Sequence, residues 1–309
     1  MPPSPLSSQP PISVVMPVYN RPQQCVEAIE SILSQSFGDF EFLIVNDGST
    51  DDTGEVLDGF ARRDGRIRVL HQPRNQGVAV SLNIGIAESR GGLIARMDSD
   101  DWALPHRLER QLAFMERNPR IGAAGCAVKI VNEMNGLTMI HRFPARQRLL
   151  REALLRDCVF IHPTMIMRRD VVVKLGGYRR AFESAEDYDL WLRLDELTGM
   201  TNMPDVLMQY RIHTAMASRE HHLRQRYRAL VARFAARRRR RGETDLFGAN
   251  RIYDDETMEE LLALSQQEKT EFWLEKFKIQ ASRDKFTLTA SHTNHFVPLD
   301  RFHMSSAGG

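Results

Sequence analysis

Cysteine, lysine and long apolar runs are all scarce in this chain. Its three cysteines, Cys25, Cys126 and Cys158, lie far apart among 309 residues with no C-x-x-C spacing. That excludes a disulfide scaffold and a cysteine-based metal site, and it fits a reducing, cytoplasmic compartment. No apolar stretch approaches the roughly 18 residues of a membrane span, and the N-terminus lacks a basic-then-apolar signal pattern, so neither secretion nor membrane spanning is expected. Neither G-x-G-x-x-G nor a Walker loop occurs, which disfavours a dinucleotide or P-loop site. Only six of the 42 basic residues are lysine, a bias read as genome composition rather than function.

What remains has the balance of a soluble globular protein: 42% hydrophobic and 27% charged residues, with a net charge of +2. The length suggests one large domain or two ordinary ones. Residues 1–11 (MPPSPLSSQPP) read as a flexible Pro/Ser-rich leader. Charge is unevenly spread, because Thr214 to Arg241 holds ten arginines against one acid, Glu220.

From Ile12 to Met97 short apolar runs alternate with polar loops and amphipathic stretches. ISVVMPV, FEFLIVN, RIRVLH and LIARM read as strands. Gln24 to Gln35, a segment capped by Ser49 and Asp51, and Val78 to Glu88 read as helices. This rhythm predicts an α/β fold: a Rossmann-like, doubly wound, mostly parallel sheet flanked by helices, with ligands outside the strands' carboxyl ends. Further on, Pro105 to Arg117 reads as a helix and Ile121 to Val131 as a strand. HPTMIMRR and VLMQYRIH read as strands flanking a helix at about Tyr188 to Glu196. Ser218 to Arg241 and Asp254 to Lys278 read as helices joined by a linker, Gly242 to Asn250, with a polar tail from Ser282. A boundary is expected near Ser218, giving a unit over 12–218 and a helical C-terminal extension over 219–309.

Asp98-Ser99-Asp100-Asp101 follows LIARM directly. Three carboxylates in four residues repel one another unless a cation or hydrogen-bond donors neutralise them. A hard divalent metal accepts such oxygen ligands and leaves room for a phosphate; a solvated turn capping the next helix is the plainer reading. Pro17-Val18-Tyr19-Asn20 and Asn46-Asp47-Gly48-Ser49 end the first two strands and would face the same crevice. There an aromatic ring can stack on a base and a carboxylate can accept a base N–H, although NDGSTDD is equally a good turn and helix cap.

VVMPVYN, ILSQSFGDFEFLIVNDGSTDDT, NQGVAVSLNIGIAESRG and IARMDSDD closely resemble the nucleotide-binding half of family-2 inverting glycosyltransferases of the GT-A fold. HPTMIMRR, GGYR, ESAEDYDLWLRL and YRIH continue the match, so it covers about Pro11 to Ser218. The resemblance implies a metal-dependent transfer of one sugar from a nucleotide-sugar donor to a glycan or lipid-linked acceptor. Pro17, Tyr19, Asn20 and Asp47 would bind the nucleotide, with Tyr19 and Asp47 recognising the base. Arg96, Asp98, Ser99 and Asp100 look like the family's aspartate motif, in which Asp98 binds the ribose or a metal-bound water and Asp100 the metal. Asp101 ligates or holds the turn. Asp187 would be the general base that removes the acceptor hydroxyl's proton, with helix capping as the alternative for Glu186 and Asp187. His213 resembles the late histidine that completes the Mn2+ or Mg2+ site, or is structural. His162, Glu186 and Trp191 fall on the acceptor side, His162 equally reading as a buried structural histidine. Asp189 is expected to face solvent.

Processive synthases of the family carry a QxxRW motif and membrane spans. None of Trp102, Trp191 and Trp273 follows an arginine, so transfer of single sugars fits better than chain extrusion. Asp47 can pair with uracil N3–H, which favours UDP; thymidine offers the same group, and guanine remains open. The rivals are a sugar nucleotidyltransferase and a catalytically dead binding module. The arginine-rich stretch reads as a helix with solvated or paired arginines, as a peripheral contact with the inner face of a membrane, or as a phosphate-binding element. Sparse aromatics in the stretch weigh against nucleic acid as a partner. The Asp254–Lys278 helix covers the core or pairs with a second copy.

Overall fold

The computed structural model describes residues 9–213, 219–248 and 251–285. The leader's first eight residues, the expected boundary at Ser218 and the tail beyond 285 lie outside these. The element order is β1 (Ile12–Val18), α1 (Gln24–Leu33), β2 (Phe40–Asn46), α2 (Thr53–Arg63), β3 (Ile67–His71), α3 (Val78–Glu88), β4 (Leu93–Arg96), β5 (Trp102–Ala103), α4 (Arg107–Arg117), β6 (Ile121–Asn132) and β7 (Thr138–His141). It continues through α5 (Gln147–Leu154), β8 (Ile166–Arg168), α6 (Arg169–Lys174), α7 (Glu186–Leu197), β9 (Gly199–Ile212), α8 (Arg219–Arg240), α9 (Asp255–Leu262) and α10 (Gln266–Lys285).

Within the described residues one nine-stranded sheet runs in the order β3-β2-β1-β4-β8-β6-β9-β5, with β7 beside β6. The first four strands pair in parallel, as the βα rhythm predicts. β8 then inserts antiparallel between β4 and β6, while β6 and β9 pair in parallel. The carboxyl ends of β1, β2, β4, β6 and β9 therefore lie along one edge. Alternate side chains enter opposite cores. Ile12, Val14, Met16 and Val18 pack with α1, α2 and α4, whereas Val15, Leu43 and Ile94 pack with α3, α7 and α8.

Two elements depart from the sequence pattern. HPTMIMRR opens with a 3-10 turn, His162–Thr164, and only Ile166–Arg168 pairs in the sheet; Pro163 carries no N–H for a ladder. The predicted Asp254–Lys278 helix is two helices, broken at Ala263, which takes a left-handed φ of 42°. The first is capped by Asp254 Oδ1, which accepts from Thr257 N–H at 2.7 Å.

Asp189 does not face solvent; it is fully buried on α7. EDYDLWLRL mixes carboxylates and an arginine with apolar residues, yet every position from Tyr188 to Asp195 is buried, so the helix is covered on all sides. Here the outer cover is α8, whose Tyr227, Leu230, Val231 and Phe234 join the cluster that holds Leu190, Trp191 and Leu194. Asp189 ion-pairs with Arg179 and with Arg193, 2.8 Å away and one turn on along α7. Arg179 also reaches Asp245 at 2.8 Å, and Asp245 accepts from Arg239 of α8 at 2.9 Å. Burial alone would raise the Asp189 carboxyl, but Arg193 and Arg179 outweigh it and hold the group at about 2. The stabilisation is thus present above the ordinary carboxylate range and is lost as pH falls toward 2.

Removing this charge leaves two buried guanidinium groups without their common partner. Asp189→Asn is expected to destabilise the fold by about 3–5 kcal/mol, measured by urea unfolding near neutral pH. A change below about 1 kcal/mol would mean that the arginines find other partners.

Candidate active site

The site is assembled from turns at the sheet's carboxyl edge. After β1 the chain turns at Asn20, whose φ of 50° an asparagine tolerates. Asn20 N–H donates to Ser49 Oγ at 3.0 Å, and Thr50 N–H donates to Asn20 Oδ1 at 2.9 Å. These bonds tie the first turn to the second. Ser49 is thus used between turns, and Asp51 Oδ1 accepts from Thr53 N–H, at the start of α2, at 3.0 Å. Pro17 stays in β1, opposite Val45. Tyr19 leaves its ring 42% exposed in the crevice. Asp47 is buried, and its two oxygens accept from Gln76 N–H and Gly77 N–H, both at 2.9 Å. It latches the loop over residues 72–77 onto the end of β2. Gly48 lies beneath that loop with φ 67°, and a side chain there would strike the Arg74 backbone.

The acidic turn follows β4. Asp98, Asp100 and Asp101 bring one ligand oxygen each within 4.8 Å of one another. Arg96, buried at the end of β4, ion-pairs with Asp98. His213 follows β9, and its Nε2 lies 3.1 Å from Asp100 Oδ2. Arg211 N–H donates to Asp101 Oδ1 at 3.0 Å, and Arg211 Nε donates to the Asp100 carbonyl. Ser99 is buried within the turn. Burial and then the charge of Asp100 raise Asp98 against the pull of Arg96. Burial followed by the charges of Asp98 and Asp100 pushes Asp101 well up. Burial acts on Asp100 too, but the His213 hydrogen bond and the Arg21 charge bring it below its ordinary value. Asp101 Oδ2 is buried with no hydrogen-bond partner among the described residues. A crowded set of oxygens, one of them orphaned, beside an imidazole fits a hard divalent ion.

Across the crevice, Glu186 and Asp187 open α7 just after Ser184, which has a strained φ of 79°. Asp187 Oδ1 accepts from Tyr188 N–H at 2.7 Å. Burial pushes Asp187 up to about 6, with Arg96 pulling it down and Asp98 raising it, which couples α7 to the acidic turn. Burial and the Asp187 charge push Glu186 up to about 8, and its Oε2 has no hydrogen-bond partner among the described residues. His162 Nε2 is hydrogen-bonded to Tyr178 Oη at 2.8 Å, and its ring lies edge-on to Trp191 with centroids 5.7 Å apart. Burial, then Arg96, holds His162 well below its usual range, so it is neutral. Trp191 is fully buried, and its indole N–H is unpartnered among the described residues.

The turns that carry Tyr19, Asn20, Asp47 and the Asp98 cluster thus lie at the carboxyl ends of their strands, with Asp47 turned to the loop it holds and Trp191 buried in the body of α7. Four others have roles that the sequence reading did not assign. Tyr178 orients His162. Arg21 places its charge near Asp98 and Asp100. Arg211 holds the acidic turn. Arg107 is fully buried and donates from Nη2 to the Arg96 carbonyl at 2.6 Å, with the sulfurs of Met97 and Met208 beside Nη1. Arg21 and Arg211 sit inside PVYNRP and QYRIH, where position next to a motif is a signal; Arg107 on its helix has none.

Several known proteins are similar to this chain. O-antigen biosynthesis glycosyltransferase WbnJ of Escherichia coli is 34% identical over 206 residues, 65% of this chain and 80% of that protein. Amylovoran biosynthesis glycosyltransferase AmsE of Erwinia amylovora is 30% identical over 213 residues, 67% of this chain and 78% of its own. Among solved structures, S. aureus TarS in complex with UDP superposes with a TM-score of 0.61 at 18% identity, covering 94% of this chain and 76% of that one. Mannosyltransferase PcManGT of Pyrobaculum calidifontis, solved with GDP-Man and Mn2+, gives 0.58 at 18% identity, over 90% of this chain and 76% of that one. At such identities the solved structures attest the shared fold alone, a mixed α/β sheet of GT-A type with flanking helices. Residues 13–176 match the family model described as Glycosyl transferase family 2, and with that match and the WbnJ relationship the chain belongs to glycosyl transferase family 2.

Proposed function

We propose that this protein is an inverting, divalent-metal-dependent glycosyltransferase. It moves one hexosyl unit from a nucleoside-diphosphate sugar, a UDP-sugar foremost, to a hydroxyl of a glycan or lipid-linked acceptor. The observation that carries the reading is the juxtaposition of two half-buried acidic groups, the Asp98 turn and Glu186–Asp187, with the buried Arg96 ion-paired to Asp98 and its charge felt at Asp187. Neighbours in complex with UDP and with GDP-Man and Mn2+, and relatives named for O-antigen and amylovoran biosynthesis, support donor class and setting.

In this reading the base of the donor stacks on the exposed Tyr19 ring and is bounded by the loop that Asp47 latches. A carboxylate has lone pairs beyond the two that Asp47 uses, and these accept a pyrimidine N3–H. Asn20 and Pro17 fix the turn beneath. Asp100 and His213, with Asp98 beside the ribose, would hold Mn2+ or Mg2+, which when bound supplies positive charge to the departing diphosphate. Asp187 accepts the proton of the acceptor hydroxyl on the oxygen not engaged by Tyr188, while the hydroxyl oxygen bonds to the anomeric carbon. The carbon–oxygen bond to the diphosphate breaks on the opposite face, and its electron pair leaves with the nucleotide. Glu186 keeps its proton at neutral pH and does not compete. On the acceptor side His162 is the accessible group, with Tyr178 and Trp191 buried behind it and fixing its ring. The β6–β7 hairpin stands beside His213, since Glu133 N–H donates to Ile212 O at 2.9 Å, and it exposes Met134, Leu137, Met139 and Ile140. That apolar edge suits an acceptor with a lipid part.

Residues 12–218 act as the catalytic unit and 219–309 as the extension, whose helix α8 braces α7. Arg233, Arg237, Arg239 and Arg240 of α8 are ion-paired with Glu275, Glu271, Glu196 and Asp195. This favours a packed helix over one whose arginines meet a membrane. No helix among the described residues is long and apolar enough to cross a membrane.

Calorimetric titration with UDP, dTDP and GDP, each with and without manganese, is expected to show tight binding of one nucleotide, UDP, that requires the metal. Binding of none of them would favour a dead module. Asp187→Asn should lower transfer by a hundredfold to ten-thousandfold, roughly, with nucleotide affinity nearly unchanged; joint loss of both would remove Asp187 from the base role. Asp100→Asn should raise the manganese requirement at least about tenfold. A base works only deprotonated, so kcat/KM should climb as pH rises through about 6 in the parent enzyme.

A further inference from the structure

The face of α10 that points away from the protein has a composition that neither the sheet nor the acidic crevice explains. Its inner side is conventional: Phe272 and Ile279 are buried, and the Phe272 ring meets Tyr227 and Phe234 of α8 edge-on at 6.4 and 5.2 Å. Three acids among its described side chains are turned toward α8. Glu268, Glu271 and Glu275 pair with Arg241, Arg237 and Arg233 at 2.8, 2.6 and 2.6 Å. The outer side keeps what is left. Trp273, Leu274 and Phe277 are 54%, 57% and 67% exposed, on one arc of the helix at i, i+1 and i+4. Lys269 and Lys278 are exposed on either flank, and the Lys276 ammonium rests 4.5 Å from the Trp273 ring centroid. Four of the chain's six lysines fall within Gln266–Lys285.

We propose that this face of α10 docks the protein on an anionic membrane surface. Trp273, Leu274 and Phe277 enter the boundary between headgroups and acyl chains, and Lys269 and Lys278 meet lipid phosphates. Aromatic rings with an apolar body settle at that boundary, and lysine stems reach past apolar surface to place their charge in the headgroups. Charge complementarity decides the occupant. Two copies of the face brought together would set lysine against lysine, because Glu268, Glu271 and Glu275 are held by the arginines of α8 and its end. The lipid surface carries the opposite charge throughout, at about 1 kcal/mol of attraction per basic residue near it. Three apolar side chains are also a small patch for a stable protein interface, whereas a membrane needs only shallow insertion. This inference does not rest on the sugar-transfer reading.

The test is flotation of the full-length chain with vesicles of phosphatidylcholine alone and with about 30% phosphatidylglycerol. Binding is expected only to the anionic vesicles and should weaken at high salt. The W273A/F277A double variant should lose about tenfold or more of that affinity, and K269E/K278E at least as much, while both keep the parent's melting temperature and nucleotide binding. The fluorescence of Trp273, recorded in a W102F background, should shift to the blue on binding. Three outcomes would overturn the proposal: no binding to anionic vesicles; self-association abolished by Phe277→Ala; or vesicle binding that emerges only after removal of residues 286–309, which would make the tail the occupant of this face.

Discussion

Carboxylates gathered at one edge of a buried sheet repel each other, and here the buried guanidinium of Arg96 balances that repulsion. It pairs with Asp98, opposes the burial that raises Glu186 and Asp187, and adds to the burial that keeps His162 neutral. It occupies the last position of β4, where a doubly wound sheet offers its ligand crevice. Arg107 stands behind it, bonded to the Arg96 carbonyl and cushioned by methionine sulfur instead of a carboxylate. The acidic turn therefore sits before two fixed positive charges, and burial leaves its members with proton affinities pushed in different directions. Such divergence within one cleft is how a protein separates groups that bind a cation from groups that take a proton.

α7 links this edge to the remainder of the chain. Its first turn carries Glu186 and Asp187, and its body is enclosed by the sheet-side core and by α8. Charged residues on an enclosed helix require partners, and Asp189, Arg193 and Asp195 have them in Arg179, Leu175 and Gly177 carbonyls, Arg151 and Arg240. The strings of arginine near the end of α8 are largely the other half of this arrangement. Arginine suits it because the planar fork binds carboxylates bidentately and loses less on desolvation than an ammonium. A set of ion pairs spanning α7, α8, α10 and the segment holding Asp245 makes the C-terminal helices a support for the proton-accepting end of the crevice.

The first half of the fold was legible because each β-α unit is local. A run such as ISVVMPV can only be buried on both faces, and the polar turn after it can only lie at the strand's end. The turns bearing Tyr19, Asp47 and Asp98 were placed on one edge by that rule alone, and motif resemblance added Asp187 and His213. Asp189 was misplaced toward solvent because a pattern of carboxylates along a helix contains no information about the helix that will cover it. The break at Ala263 was equally hidden, since alanine is a strong helix former and its left-handed conformation is imposed by packing.

By itself, then, the sequence determined the strand and helix rhythm, the carboxyl-edge crevice and the residue types that line it, because these follow from hydrophobic period and short-range turn chemistry. Only the tertiary structure decided which way each charge faces. It turned Asp47 toward its own loop, paired Asp189 with two arginines, put His162 on Tyr178, and matched Glu268, Glu271 and Glu275 of α10 to arginines of α8 and its end, while Lys269 and Trp273 remain outside. Those choices depend on contacts between segments far apart in the chain, where burial makes the identity of the partner, and not the residue's own preference, the larger energy.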